Sequence, residues 1–209
     1  LAHQYPSTSD SYAPLVEDLL GLGVATLAFD LRGHGRSIQS PSGPLVIDTP
    51  LGFTPDAFGQ AFMSSAGKVG FSHISDDIVR VAGWGAVQNF IDSDRLLLFG
   101  ASVGGTGVLL AAPRVTPLRG LVTLGAAGAP AHGPDAGLQI RRALENTRVP
   151  TLLTSSANDP FEGANNAHTW GDGLSHVQVQ VVPGSDHAMA IYYLVRDSVL
   201  AVVRRVLGR

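Results

Sequence analysis

The chain has no cysteine, which excludes a thiolate nucleophile, disulfide staples and cysteine-ligated metal. Charge is scarce as well: 15% of its 209 residues are Asp, Glu, Lys or Arg, and they sum to −3. The basic residues are scattered, with only Arg141-Arg142 and Arg204-Arg205 adjacent. Both pairs read as solvated helix faces, so no nucleic-acid partner is expected. His73, His132, His168 and His176 lack metal-ligand spacing, and neither a metal nor a cofactor is expected. A long unbroken apolar run is also missing. The charge-free stretch Leu96 to Pro113 is broken by four glycines, Ser102 and Thr106, which reads as a strand and a buried helix and not as a transmembrane segment.

What is present is a composition of 44% apolar residues, enough for one sizeable core, so a single domain over residues 1–209 is expected. Leu1-Ala2-His3 has the look of a strand end, and the expectation is that residues precede Leu1 and supply the rest of that strand. Ser11 precedes apolar residues at helical spacing, closed by Gly21 and Gly23; Val24 to Phe29 reads as a buried strand. The turn Asp30-Leu31-Arg32-Gly33-His34-Gly35-Arg36-Ser37 follows, with Ile38 where a dinucleotide loop needs its third glycine. Residues 38–72 read as a long insertion with a short helix, Thr54 as N-cap, Pro55 at its first position and Gly67 past its end. Phe58, Phe62 and Met63 share one face of that helix, which serves either as a patch on the body or as a flap over a site.

Beyond it, Ser75 reads as the cap of a helix that turns Ile78, Val81, Ala82 and Phe90 inward. Strands are expected at Leu96 to Phe99, Gly120 to Leu124, Val149 to Ser155 and Val177 to Val182, with helices from Val103, over Gly137 to Arg148 and over Ala188 to Leu207. Residues 161–173 are a polar helix or loop. Alternation of this kind implies a mostly parallel, doubly wound α/β sheet covered on both faces. In such sheets ligands bind beyond the carboxyl ends of the strands, which singles out His3 to Tyr5, Asp30, Ser102, Asp159 and His187.

Gly100-x-Ser102-x-Gly104 stands at a strand-to-helix junction, where a tight turn lifts a hydroxyl clear of the sheet and aims the next backbone N–H at a developing oxyanion. A serine needs a base, and the base needs a carboxylate to fix its tautomer. Ser102, Asp159 and His187 supply these types in that chain order, each after a different strand of one sheet edge. Asp186, beside the histidine, points away from its neighbour's ring in ordinary backbone geometry and is not favoured. His34 is expected to bond within its own turn.

On these residues the chain resembles an α/β-hydrolase of the serine esterase and lipase type. Gly-Ala-Ser-Val-Gly resembles that family's nucleophile elbow, Ser-Ala-Asn-Asp-Pro-Phe its acid loop, Pro-Gly-Ser-Asp-His-Ala-Met its histidine loop, and residues 30–37 the turn after its fourth strand. Leu-Ala-His-Gln-Tyr-Pro corresponds to the end of its third strand, with Gln4 where the family has glycine. The resemblance implies an oxyanion hole from the backbone N–H groups of Tyr5 and Val103, with His3 ordering the loop. It also implies a third strand lying between the fourth and fifth. With about two dozen residues between Leu124 and Val149, little or no lid is expected there.

The expectation is a carboxylesterase-type hydrolase of small-molecule esters, short-chain or compact, working through an acyl-enzyme on Ser102. A thioesterase, an amidase or peptidase, and an acyltransferase fit the same residues. A haloalkane dehalogenase is disfavoured because it needs a carboxylate at position 102. A nucleotide-binding oxidoreductase lacks the acidic residue about twenty positions on, and a binding module without turnover has no need of all three triad types. Oligomeric state and compartment are not legible.

Overall fold

The computed structural model describes residues 1–52 and 54–208. Its helices and strands in chain order are α1 (Ala13–Gly21), α2 (Pro55–Val69), α3 (Ile74–Ala86), β1 (Leu96–Ala101), α4 (Val103–Ala111), β2 (Leu118–Leu124), α5 (Ala136–Thr147), β3 (Thr151–Ser156), α6 (Gly163–Gly171), β4 (Val177–Val182) and α7 (Tyr192–Leu207). The four strands are all parallel, in the order β1-β2-β3-β4.

Successive residues of a strand face opposite sides of the sheet, and here both sides are core. Leu98, Leu121 and Leu153 face a cluster with Ile74, Ile78, Leu109, Ile140 and Trp170 from α3 to α6. Their neighbours Phe99, Val122 and Leu152 face a second cluster with Leu15, Leu19, Val195, Val199 and Val203 from α1 and α7. The expected parallel, doubly wound α/β architecture is therefore present. Ala2 forms parallel bridges to both Phe29 and Gly100, so the end of the third family strand does sit between its neighbours.

The segment Val24 to Phe29 departs from its expected role as a buried strand. Among these residues only Phe29 makes a bridge, to Ala2, and Ala25 and Leu27 are exposed. A strand is stabilised by its partners, and beyond Ala2 this segment is held, among the described residues, by the bond from Leu1 N to the Leu27 carbonyl and by the Val24 N–H to the Leu19 carbonyl at its start. A cleft of about 420 Å3 separates Val24 to Phe29 from Leu96 to Phe99.

Several boundaries also move. Gly67 lies inside α2; the helix ends at Gly70, whose φ of 73° suits a residue without Cβ and whose N–H bonds to the Ala66 carbonyl. Thr54 does cap it, accepting from the Ala57 N–H at 3.3 Å. Phe58 and Phe62 turn inward, whereas Met63 is 51% exposed. Helix α3 starts at Ile74, so Ser75 is in its first turn and not its cap, and Phe90, beyond the helix end, is 71% exposed. Leu194 is exposed too, because α7 buries the stripe Val195, Val199 and Val203. Between β2 and β3 the chain forms α5, packed on α4 and α6, and no lid.

Helix α1 is tied to α7 by Asp18, which accepts from the Tyr192 hydroxyl and the Arg196 guanidinium. These bonds, Arg196 first, hold its carboxyl down at about 2. An acid whose folded pKa lies below its unfolded value stabilises the fold above the unfolded value of about 4 and loses that contribution as pH falls further. Asp18→Asn is therefore expected to lower the melting temperature at neutral pH. The gap to wild type should close as pH drops from about 4 towards 2, read by thermal unfolding across that range.

Candidate active site

Between β1 and α4 the chain reverses at Ser102, with φ 51° and ψ −122°, a conformation L-residues rarely adopt. The turn is fastened on both sides: the Ser102 N–H donates to the Leu124 carbonyl, and its carbonyl accepts from the N–H groups of Thr106 and Ala127. Glycine flanks it for lack of space. A Cβ on Gly104 would stand 2.2 Å from the Ala2 carbonyl oxygen, and one on Gly100 2.5 Å from that of Gly104.

Asp159 follows β3 and is buried. Its Oδ1 accepts from the Phe161 N–H at 2.9 Å, and its Oδ2 from the Ser155 hydroxyl at 3.0 Å and from His187 Nδ1 at 2.7 Å. Burial pushes this carboxyl up, but the bonds from His187, Phe161 and Ser155 outweigh it and hold the group below the usual carboxylate range. An Nδ1–H donor fixes the neutral imidazole as the tautomer with Nε2 free to accept. That Nε2 is buried and has no hydrogen-bond partner among the described residues.

The loops that carry acid and histidine are laced together. Ala157 and Asn158 donate backbone N–H groups to the Val182 and Gly184 carbonyls, and the Ser156 hydroxyl donates to the Asp186 carbonyl. Asp186 itself is exposed, and the imidazole bonds to Asp159 instead.

Ser102 meets this pair across the segment Leu124 to Ala127. Its backbone bonds to Leu124 and Ala127, while Gly125 lies so near the histidine that a Cβ there would stand 3.1 Å from His187 Nδ1 and 2.9 Å from the Ala188 N. The three candidate residues are thus gathered around one glycine at the carboxyl end of β2. The serine hydroxyl makes no hydrogen bond to the imidazole in this structure, a looseness common in unliganded sites of this chemistry.

The two N–H groups expected to form an oxyanion hole, those of Tyr5 and Val103, have no acceptor among the described residues. His3 orients the first. Its Nε2 accepts from the Leu31 N–H at 2.9 Å, so the proton is on Nδ1, which donates to the Gln4 carbonyl at 2.8 Å. The Gln4–Tyr5 peptide is trans, so pinning its carbonyl one way turns the Tyr5 N–H the other way. Burial lowers the His3 pKa to about 4, which keeps the ring neutral for this double role. Asp30, directly after Phe29, accepts from Ser9 and from the Arg36 N–H and so organises its own turn; His34 bonds to the Arg32 carbonyl.

Sequence patterns did not single out Ser155, Thr106, Phe161 or the reach of Phe58. Thr106 fastens α4 to the Ala127 carbonyl at 2.7 Å. Ser155 sits four residues before Asp159 near the end of β3, a strand whose every residue is buried; a buried hydroxyl needs a partner.

Residues 1–138 match the family described as serine aminopeptidase, S33. The chain belongs to this family of α/β-hydrolases. Among solved structures, the chain is similar to a dienelactone hydrolase from Anabaena variabilis, at 20% identity and a TM-score of 0.63 over 96% of this chain and 81% of that one. One chain described under the two metagenome-derived lipolytic enzymes LipS and LipT gives 18% and 0.64 over 98% and 91%. A monoacylglycerol lipase from Paleococcus ferrophilus gives 17% and 0.59 over 99% and 92%. At such identities the likeness is one of fold. No curated protein matches the chain. No described helix of this α/β-hydrolase is long and apolar enough to cross a membrane.

Gly163 begins α6 directly beneath the acid; a Cβ there would stand 2.5 Å from the Ser155 hydroxyl and 2.6 Å from Asp159 Oδ2. Gly163→Ala is expected to cost about 1–3 kcal/mol in urea unfolding, the range of an overpacked site. Gly59→Ala in α2, where nothing lies within 4 Å, should be neutral or stabilise by up to about 1 kcal/mol.

Proposed function

We propose that this α/β-hydrolase is a serine hydrolase of carboxylic esters that works through an acyl-enzyme on Ser102. The observation that carries the reading is the pair of buried Asp159 and half-buried His187, whose unpartnered Nε2 borders the segment that holds the serine turn. In the forward step His187 Nε2 takes the Ser102 proton as the oxygen attacks the ester carbonyl. The negative charge then developing on the carbonyl oxygen is met by the Tyr5 and Val103 N–H groups. Collapse breaks the bond to the alcohol oxygen, which leaves with the proton held by His187. Water, deprotonated by the same nitrogen, attacks the acyl carbonyl and returns the acid and the free serine. Asp159 keeps the imidazole in its tautomer and stabilises its charged form.

The absence of a lid between β2 and β3 favours small or compact substrates over long lipid chains. A second reading is amide cleavage, favoured by the match to a family described as serine aminopeptidase. The same steps serve it with an amine as leaving group. Aminoacyl p-nitroanilides assayed beside p-nitrophenyl esters separate the two.

Ser102→Ala is expected to lower kcat on a p-nitrophenyl ester by about 1000-fold or more, and Asp159→Asn by about 100-fold or more. A fluorophosphonate should add covalently to wild type at Ser102, located by peptide mass, and not to the alanine variant. Equal turnover in wild type and Ser102→Ala removes the proposal.

A further inference from the structure

Phe58 and Phe62 of segment 38–72 both pack edge-on against Tyr5, and of the described rings of that segment only Phe58 also meets Phe161. The Phe58 ring lies edge-on to Tyr5 at 5.4 Å between centroids and tilts against Phe161 at 5.0 Å; Phe161 tilts in turn against the His187 imidazole at 4.6 Å. Phe58 therefore spans the space between the loop that offers the first N–H donor and the loop that carries the acid. Its helix is held from the other end. The buried residues of α2 are Ser65, Ala66 and Val69, and the Ser65 hydroxyl donates to the Ala61 carbonyl and accepts the Asp48 N–H, whereas Thr54 to Asp56 are exposed.

The side of the site these rings occupy follows from the chemistry. An imidazole that hands its proton to the departing oxygen must touch the alcohol part of the ester, so groups packed on the imidazole border the path by which the alcohol leaves. Phe161 covers a flank of that ring, and Phe58 extends the same wall across towards Tyr5. Both are apolar, so they accept an uncharged alcohol and oppose a charged one, which would lose its water against them.

We propose that Phe58 and Phe161 form the leaving-group subsite and that Phe58 limits it to esters of small, uncharged alcohols. This rests on the hydrolytic reading above. The acyl group lies away from the imidazole and is selected separately.

The test is a pair of substrate series on wild type, Phe58→Ala and Phe58→Leu: acetates of methanol, hexanol and benzyl alcohol, and methyl esters of acetic to octanoic acid. With Phe58→Ala the kcat/KM ratio of benzyl or hexyl to methyl acetate is expected to rise about tenfold or more, the scale on which an apolar pocket discriminates. The acyl-length profile should stay within about threefold of wild type. Phe58→Leu, which keeps α2 packed, should show a smaller rise of the same sign. An unchanged alcohol ratio in folded Phe58→Leu, or a shift in the acyl profile instead, overturns the subsite while leaving the hydrolase reading standing. A wild type without ester turnover, or a Ser102→Ala variant as active as wild type, overturns the reading and the subsite together.

Discussion

The structure depends on the backbone reversal at Ser102. A residue with φ 51° is costly for any side chain, and it persists because three backbone hydrogen bonds, to Leu124, Thr106 and Ala127, fix it from both directions. The reversal brings α4 back against β1 so closely that Gly100, Gly104 and the Ala2 carbonyl leave no room for a methyl group. Because Ala2 is bonded to Phe99 and Ala101 on the same strand, the turn also fixes where His3, Gln4 and Tyr5 emerge. One local constraint thus sets the serine, the Val103 N–H and the loop of Tyr5 relative to each other.

The second half of the site is built by the parallel sheet. β2, β3 and β4 end at the same edge, and the loops after them carry Gly125, Asp159 and His187. The acid is held by three donors and the histidine by the acid, so the imidazole is positioned through bonds to main elements of the fold. From outside the sheet's own loops, Phe58 on α2 reaches Phe161, and through it the imidazole.

Much of this was legible because the signals are local. The glycines of Gly100-x-Ser102-x-Gly104, the apolar runs of β1 to β4 and the cap at Thr54 each mark a single turn or strand, and the structure has them where the residues indicate. The end of α2 is not legible in the sequence, because Gly67 and Gly70 are equally good stops on paper; of the two, only Gly70 takes a positive φ. Val24 to Phe29 has the composition of a buried strand, yet whether it becomes one depends on partners elsewhere in the chain, and its strand-like pairing among the described residues is with Ala2 and Leu1.

By itself the sequence determined the alternating α/β architecture and which residue types stand at strand ends, since periodicity and turn chemistry act over a few neighbouring positions. It names Ser102, Asp159 and His187 and favours Asp159 over Asp186 as the carboxylate, but it does not give the surrounding partners. That Ser155 adds a donor to Asp159, that Gly125 lies against the imidazole, and that Phe58 arrives over Phe161 were decided only by the tertiary structure. Those contacts join residues far apart in the chain, and their existence depends on how the helices and loops pack against one shared sheet edge.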